Sequence, residues 1–316
     1  MENKTVRVCH FAKLKIRCNG DIYPCCAVPA DQKLGNIFNE NIFEKIENTD
    51  VICECEMFKS VARNADDRPN LNYIHFETSN VCQASCVCCP QKKEKLPNEE
   101  AHMQKIKEFI EHYKPRNVIA IGGEILVQKN SMEMLFAFKS KYPDMQFHTI
   151  TNLSVSELIV KQAEQIFDKM TVSMLGFQPV TYNFEMGLDL DITMRNFNCL
   201  YENKKVRLSP KYLAMPTNLP ELPLFFDWAV KLDVEKIYLH NIHEFKRVAQ
   251  TADKYWVTTF AKLEKAMKKV FQENSDLIRG KNRHFISIHP LLAEFIKIDE
   301  QFIKENGFEK IVCIAK

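Results

Sequence analysis

The pattern of apolar and polar residues becomes regular from about residue 71 onward. Short runs rich in β-branched and aromatic residues alternate there with longer amphipathic stretches, which is typical of an α/β fold. The short runs predict strands at Asn72–Thr78, Asn117–Ile121, Met145–Thr151, Met170–Met174, Val206–Ala214 and Lys236–His240. The stretches between them predict helices at Glu99–Tyr113, Ser131–Tyr142, Val155–Phe167, Ile192–Tyr201 and Leu219–Leu232. Strands joined in series by helices predict a parallel sheet, here a partial (β/α)6 barrel with catalytic groups at the carboxyl ends of its strands.

The two ends of the chain differ from this central region. The amino-terminal part has short β-like runs at Lys13–Ile16 and Asp21–Tyr23 and a helical stretch at Asn41–Ile46, which predict a small cysteine-rich α+β domain. A polar run closed by Pro69 and Asn70 predicts a linker. The carboxyl-terminal part carries a long charged amphipathic helix and two candidate strands, at Ile286–His289 and Ile311–Ile314. The predicted domains are therefore residues 1–62, a linker at 63–70, the barrel at 71–245 and a helical extension at 246–316.

Composition narrows the class of protein. The 316 residues are 46% hydrophobic and 27% charged, as in an ordinary globular protein of about two domains. The formal net charge is only +2, and Lys and Arg are spread among Asp and Glu, so nucleic acid is not an expected partner. No apolar run has the length of a membrane span and no signal-peptide core is visible, so we expect a cytoplasmic protein without a membrane partner.

Cysteines are concentrated near the amino terminus, where ten of the twelve precede residue 90. In a cytosolic protein such clustering indicates metal binding rather than disulfides. Cys82, Cys86 and Cys89 follow the first strand of the predicted barrel with the spacing C-x3-C-x2-C. Three thiolates can hold three corners of a four-iron, four-sulfur cluster and leave one iron open for chemistry.

This cysteine spacing resembles the signature of the radical S-adenosylmethionine (radical SAM) superfamily. The resemblance implies that the open iron binds the amine and carboxylate of S-adenosylmethionine (SAM). The family usually has an aromatic residue before its third cysteine, where this chain has Cys88. Cys88 is therefore an alternative third ligand.

The resemblance continues at the ends of later predicted strands. Gly122-Gly123-Glu124 follows the second strand, where a Gly-Gly-Glu sequence of the family receives the methionyl amine of SAM. Asn152 and Ser173, at the ends of the third and fourth strands, correspond to family residues that contact SAM. Asn152 is equally well interpreted as the cap of the following helix.

Three other polar residues lie near the last predicted strand ends. Asn218 resembles a family Asn, but we favour its interpretation as a helix N-cap. His240 and His243 flank the sixth strand end and could face a substrate, although isolated histidines are more often structural.

The amino-terminal cysteines form a second pattern. Cys9 and Cys25 are separated as C-x10-G-x4-C, and a Cys53/Cys55 pair follows a Leu-Gly-Asn-Ile run. This resembles the twitch domain, the half-size form of the SPASM domain, although it precedes the core instead of following it. The resemblance implies a second four-iron cluster held by Cys9, Cys25, Cys53 and Cys55, with Cys18 and Cys26 spare. A zinc ribbon is the alternative, because four cysteines in two pairs bind zinc equally well.

Together these resemblances imply a radical SAM enzyme that cleaves SAM reductively to a 5′-deoxyadenosyl radical. The radical would abstract hydrogen from a substrate that is either a small molecule, such as a sugar-like compound, or a peptide, and the auxiliary cluster would help to oxidise or cross-link it. A flavodoxin- or ferredoxin-type protein would supply the electron. The alternative is a non-enzymatic metal-binding or electron-transfer protein whose cysteines form closed zinc or iron–sulfur sites.

Overall fold

The computed structural model of the chain forms two compact units. It describes residues 5–9, 13–24, 33–48, 58–62, 71–89, 91, 98–241 and 254–314. The first unit comprises Met1–Gln83, Gln91–Thr149 and Gln165–Asp168, and the second comprises Ala84–Pro90, Ile150–Glu164 and Lys169–Lys316. The predicted linker at 63–70 lies outside the described residues, so the predicted domain boundaries remain predictions.

The first unit is built on a mainly parallel sheet. Its strands are β1 (Thr5–Cys9), β2 (Lys13–Ile16), β3 (Asp21–Tyr23), β4 (Gly35–Asn36), β5 (Phe58–Ala62), β6 (Tyr73–Glu77), β7 (Asn117–Ile121) and β8 (Gln146–Thr151). Strands β2, β6, β7 and β8 run parallel to one another, and β3 and β4 extend the sheet antiparallel. Strands β1 and β5 form a separate antiparallel pair. Part of the cysteine-rich amino-terminal region therefore shares a sheet with the first barrel strands.

Helices cover one face of this sheet. They are α1 (Ile42–Asn48), α2 (Glu99–Tyr113) and α3 (Lys129–Lys141). Phe109 and Ile110 of α2 are fully buried, and the ring of Phe43 in α1 packs 4.5 Å from that of Phe109. The apolar stripe predicted for α2 thus faces the core, as expected for an amphipathic helix.

The second unit contains five parallel strands. Its helices and strands are α4 (Glu157–Ile166), β9 (Lys169–Met174), α5 (Pro179–Met186), α6 (Leu190–Asn203), β10 (Arg207–Ala214), α7 (Leu222–Val230), β11 (Ile237–Asn241), α8 (Lys254–Glu273), α9 (Ser275–Arg279), β12 (Ile286–Ile288), α10 (Pro290–Ile296), α11 (Glu300–Glu305) and β13 (Val312–Ile314). Each strand from β9 to β13 pairs parallel with the next. The carboxyl-terminal residues are therefore more than a helical extension, because they add two strands to this sheet.

The α/β fold class predicted from the sequence is confirmed. The six central strands and five central helices all form, with ends within about three residues of prediction, which is the usual uncertainty of helix and strand boundaries. Helix α5 was not predicted. Its apolar residues Val180 and Phe184 are exposed, so the segment lacks the one-sided pattern by which a packed helix is recognised.

The strands of both units present two different faces. In β7 and β11, alternate residues such as Val118, Ala120 and Leu239 are fully buried, while their neighbours are half-buried. In the second unit the half-buried face carries polar residues, including Lys211 and His240. No helix within the described part of the chain is long and apolar enough to span a membrane.

Candidate functional site

The turn after β7 requires glycine at two successive positions. Gly122 and Gly123 have φ angles of 102° and 54°, in the left-handed region that side chains disfavour. A Cβ atom on Gly122 would lie 2.5 Å from the carbonyl oxygen of Ser79, and one on Gly123 would lie 2.1 Å from that of Val81. Both distances are too short for real atoms, so only glycine lets this turn pack against the segment that leads to Cys82.

The side chain of Gln128 holds the same turn in place through hydrogen bonds. Its Nε2 donates hydrogen bonds to the carbonyl oxygens of Gly122, at 2.6 Å, and Val81, at 3.2 Å. Its Oε1 accepts from the hydroxyls of Thr78, at 2.6 Å, and Ser131, at 3.2 Å. We call these five residues the Gln128 network. Its buried amide uses both donors and both acceptor positions, so it fixes the glycine turn relative to the end of β6.

Glu124 and Gln91 complete the turn. The amide of Glu124 donates to Val81 O at 2.9 Å, and that of Gly123 donates to Oε1 of Gln91 at 3.0 Å. The Glu124 side chain is buried, and its Oε1 accepts from the amide of Leu126 at 3.2 Å. The carboxylate thus caps the short 3₁₀ helix Ile125–Val127.

A buried carboxylate ends strand β6 just before the cysteines. Oε1 of Glu77 lies 3.3 Å from Nζ of Lys15, and its Oε2 accepts from the amide of Cys18 at 3.2 Å. Burial, and then the charge of Glu77, raise the pKa of the Cys18 thiol. Nε2 of His102 lies 2.9 Å from Glu77 O, and burial lowers the pKa of this histidine. It therefore donates from Nε2 as a neutral ring.

Sequence reasoning missed Gln128, Glu77 and His102 as parts of the site. Gln128 lies four residues beyond the recognised Glu124, and its role depends on contacts with residues about fifty positions earlier. Only Glu77 carried a usable signal, since an acidic residue at the end of an otherwise apolar strand needs a partner.

The cysteine loop, residues 82–89, is accessible. Cys82, Cys86 and Cys88 are half-buried and Cys89 is exposed. Cys82 belongs to the first unit, and the other three belong to the second. No group of three His, Cys, Asp or Glu side chains positioned for a metal ion occurs within the described ranges. The assignment of Cys82, Cys86 and Cys89 as cluster ligands, with Cys88 as the alternative, therefore remains a prediction.

The carboxyl end of α5 supports the part of the cysteine loop that lies in the second unit. The amide of Ser85 donates to Met186 O at 2.7 Å, and that of Val87 donates to Glu185 O at 3.0 Å. Gly187 has a φ of 65°, and a Cβ atom there would lie 1.9 Å from Oγ of Ser85. The unpredicted helix thus positions the backbone around Cys86.

Glu185 is a fully buried acid at this contact. Its Oε1 accepts a hydrogen bond from Oγ1 of Thr217, whereas Oε2 has no hydrogen-bond partner among the described residues. Burial raises the pKa of this carboxyl group, which favours the neutral form.

Asn152 does not cap a helix. Its Oδ1 accepts from the amide of Ser154 at 2.9 Å, whereas α4 begins only at Glu157. The helix-cap interpretation is therefore wrong, and the turn is a local side-chain-to-backbone turn. The next residue, Leu153, has a φ of 59°, in the left-handed region that side chains disfavour. Contact of Asn152 with SAM stays a prediction.

Asn218 also does not act as the predicted N-cap. It precedes the 3₁₀ helix Leu219–Glu221 but makes no capping side-chain bond. Its Oδ1 accepts from the amide of Met215 at 2.8 Å, and its Nδ2 donates to the carbonyls of Leu175 and Leu213, each at 3.0 Å. Asn218 therefore ties together the carboxyl ends of β9 and β10.

The remaining predicted site residues divide into two groups. Ser173 lies on the half-buried face of β9, opposite Lys211 of β10 in the register, and its contact with SAM stays a prediction. Residues outside the described ranges are Cys25, Cys26, Cys53, Cys55 and His243. Cys9 ends strand β1. The auxiliary cluster therefore remains a prediction as well.

The residue types present are those that the implied cofactors require. Accessible thiols are the ligands that iron–sulfur clusters use, and the glycine turn lets backbone groups approach a ligand without interference from Cβ atoms.

Comparison with known proteins supports the fold. No family model and no curated protein matches this chain. SuiB of Streptococcus suis bound to precursor peptide SuiA is 12% identical, with a TM-score of 0.50, and the match covers 74% of this chain and 54% of SuiB. SuiB alone is 13% identical, with a TM-score of 0.50, and the match covers 71% of this chain and 51% of SuiB. Native anSMEcpe with bound AdoMet is 17% identical, with a TM-score of 0.47, and the match covers 64% of this chain and 61% of anSMEcpe.

The chain thus spans about half the length of the SuiB structures it matches. At this level of identity the likeness shows the fold alone, a mixed α/β fold with a parallel sheet.

Proposed function

We propose that this protein is a radical SAM enzyme whose catalytic cluster is held by Cys82, Cys86 and Cys89. The observation that carries the proposal is the glycine turn at Gly122 and Gly123, which is packed on the backbone that leads into the cysteine loop. When bound, the reduced cluster and SAM together supply a 5′-deoxyadenosyl radical that takes a hydrogen atom from the substrate.

In this proposal the residues of the protein bind and orient SAM and the substrate. The glycine turn receives the methionyl amine of SAM, and Glu124 and the Gln128 network keep the turn in place. Asn152 and Ser173 contact SAM at the next two strand ends. No protein acid or base is needed for the first step, so the main tasks are to position the reacting carbon and to exclude water.

We assign an auxiliary four-iron cluster to Cys9, Cys25, Cys53 and Cys55, by their resemblance to a twitch domain. Such a cluster suits a reaction that oxidises or cross-links the substrate, because it can accept an electron from a product radical. The raised pKa of Cys18 disfavours its thiolate, and thiolate is the form that binds iron. This supports Cys18 as a spare thiol.

The substrate we favour is a sugar-like or other small molecule, with a peptide as the alternative. The SuiB structure bound to precursor peptide SuiA keeps the peptide alternative open for this fold. The electron donor in the proposal is a flavodoxin- or ferredoxin-type protein.

Anaerobic reconstitution tests the enzyme proposal. Purified protein is loaded with iron and sulfide, incubated with SAM and dithionite, and assayed for 5′-deoxyadenosine by chromatography. We expect product from the native chain and from the control Cys313→Ala, and none from Cys82→Ala, Cys86→Ala or Cys89→Ala. No 5′-deoxyadenosine from well-loaded native protein would instead favour the closed metal-binding alternative. Product from Cys89→Ala but not from Cys88→Ala would identify Cys88 as the third ligand.

Iron counting tests the auxiliary cluster. A variant with Cys82, Cys86 and Cys89 all replaced by Ala should keep about four irons per chain if the second cluster exists. A variant that retains zinc and no iron would assign the amino-terminal cysteines to a zinc ribbon.

A further inference from the structure

Three basic side chains gather on one face of the second unit. They are Lys211 of β10, His240 of β11 and His289, which directly follows β12. We call them the basic cluster. In the register, Lys211 lies opposite Tyr238, and Leu213 lies opposite His240. Residues two apart on a strand share a face, so Lys211 and His240 lie on the same face of adjacent strands.

This face is turned away from helix α7. Tyr212, next to Lys211, is fully buried and packs 4.9 Å from Phe225 of α7. Alternation along the strand therefore directs Lys211 to the opposite, half-buried face. The rings of His240 and His289 lie 6.3 Å apart on that face, near the carboxyl ends of their strands.

The cluster offers hydrogen-bond donors. Nδ1 of His289 accepts from the amide of Leu291 at 3.3 Å, so the neutral ring carries its proton on Nε2. Nε2 of His240 is buried and has no hydrogen-bond partner among the described residues. The hydroxyl of Ser209, two residues before Lys211 on the same face, is equally buried and without a partner in the described part of the chain.

The charge of Lys211 is not balanced by an acid among the described residues. Within the described ranges, Lys211 forms no ion pair, and the only cause that shifts its pKa is burial, which lowers it. Burial, and then the charges of Lys211, His289 and Lys236, lower the pKa of His240 to about 4. Keeping the half-buried ammonium group of Lys211 beside the unsatisfied Nε2 of His240 is unfavourable. An anionic ligand would remove that cost.

We infer that Lys211, His240 and His289 form a subsite for an anionic group of the substrate, either a carboxylate or a phosphate. The inference rests on the proposed function in one respect, namely that the bound anion belongs to the substrate of the enzyme. It specifies the chemistry of that substrate, which must carry the anion at a fixed distance from the reacting carbon. The bound anion would be held by charge-assisted hydrogen bonds, which are stronger than neutral ones.

Binding of simple anions to the full chain without cofactors tests this subsite. Inorganic phosphate and acetate are titrated separately into protein labelled with ¹³C and ¹⁵N in histidine, and the ring resonances of His240 and His289 are followed. We expect one of the two anions to shift both rings and to raise the pKa of His240 by about one unit or more. A response to phosphate alone identifies a phosphate subsite, and a response to acetate alone identifies a carboxylate subsite.

Single variants distinguish a specific anion-binding site from a general effect of the protein's positive charge. Lys211→Met should weaken anion binding about 10- to 100-fold, whereas Lys205→Met, at an exposed lysine of the same unit, should not change it. His240→Gln provides a second test if Lys211→Met does not fold. No shift of either ring, or equal binding by folded Lys211→Met, would overturn the inference. Because the readout needs neither cluster nor SAM, this failure would be distinct from failure of the proposed enzyme activity.

Discussion

The Gln128 network and the basic cluster are both polar, and both lie near the carboxyl ends of parallel strands, but their polar atoms are satisfied to different degrees. Every hydrogen-bonding group of the Gln128 amide has a protein partner. In the basic cluster, Lys211 has no ion pair and Nε2 of His240 has no hydrogen-bond partner among the described residues. Buried polar groups are normally satisfied within the protein. The first region is therefore complete as a scaffold, whereas the second is complete only with a ligand.

The largest effect is expected from Gly123→Ala, which disrupts the scaffold. The new Cβ atom would lie 2.1 Å from Val81 O at a positive φ. We expect the free energy of unfolding to fall by about 3 kcal/mol and SAM binding to be lost, as measured by denaturant titration and calorimetry. Gly280→Ala is the matched control, because the nearest atom to its Cβ is 3.5 Å away. Equal stability of the two variants would contradict the close packing of the turn.

A smaller loss is expected from Gln128→Glu, which preserves shape but removes both amide donors. The carboxylate would face the carbonyl oxygens of Gly122 and Val81. We expect a loss of about 2 kcal/mol at pH 7, again by denaturant titration, with weaker SAM binding. Gln104→Glu, on the exposed side of α2, should change stability by less than about 0.5 kcal/mol. If SAM affinity in Gln128→Glu stayed native, the network would have no positioning role.

The third effect is absent at pH 7 and appears only at lower pH, and it concerns the pH dependence of the basic cluster. His240 is faced by Lys211 from β10, by Lys236 and Tyr238 from its own strand region, and by His289 after β12. Its pKa is about 4 in the fold and ordinarily 6.5, so the unfolded chain binds the proton first as pH falls. Stability should therefore decrease from pH 6.5 towards 4, by at most about 1.4 kcal/mol per pH unit from this group.

His240→Gln should remove this part of the slope, and saturating concentrations of the anion that binds should reduce it in the native chain only. Denaturant titration at several pH values measures both. His284→Asn, at an exposed histidine with positive φ that Asn tolerates, is the control and should keep the slope. An unchanged slope in His240→Gln would show that this histidine is protonated in the fold as easily as in the unfolded chain.

The predictable part of the fold was the part with a strong local pattern. The central strands and helices have the alternation and apolar stripes that buried sheets and packed helices require, so their positions follow from the sequence. Helix α5 has no such stripe, because Val180 and Phe184 face outward. Strands β12 and β13 are three residues each, which is too short for periodicity to establish how they pair.

The candidate site was predictable where its chemistry depends on neighbours in sequence. The spacing of Cys82, Cys86 and Cys89 and the adjacent glycines are local features. The two capping interpretations, for Asn152 and Asn218, were wrong. Asparagine is a common cap, but here the side chain of Asn152 bonds within a local turn and that of Asn218 bonds a carbonyl distant in sequence.

By itself the sequence determined the α/β fold, the cysteine spacing and the pair of glycines after β7, because each depends on periodicity or residue type over a few residues. Only the tertiary structure decided that Gln128 joins segments about fifty residues apart and that Lys211, His240 and His289 share one face. Such groupings arise when strands far apart in the chain are brought into register, and hydrogen bonding and charge interactions depend on that distance in space.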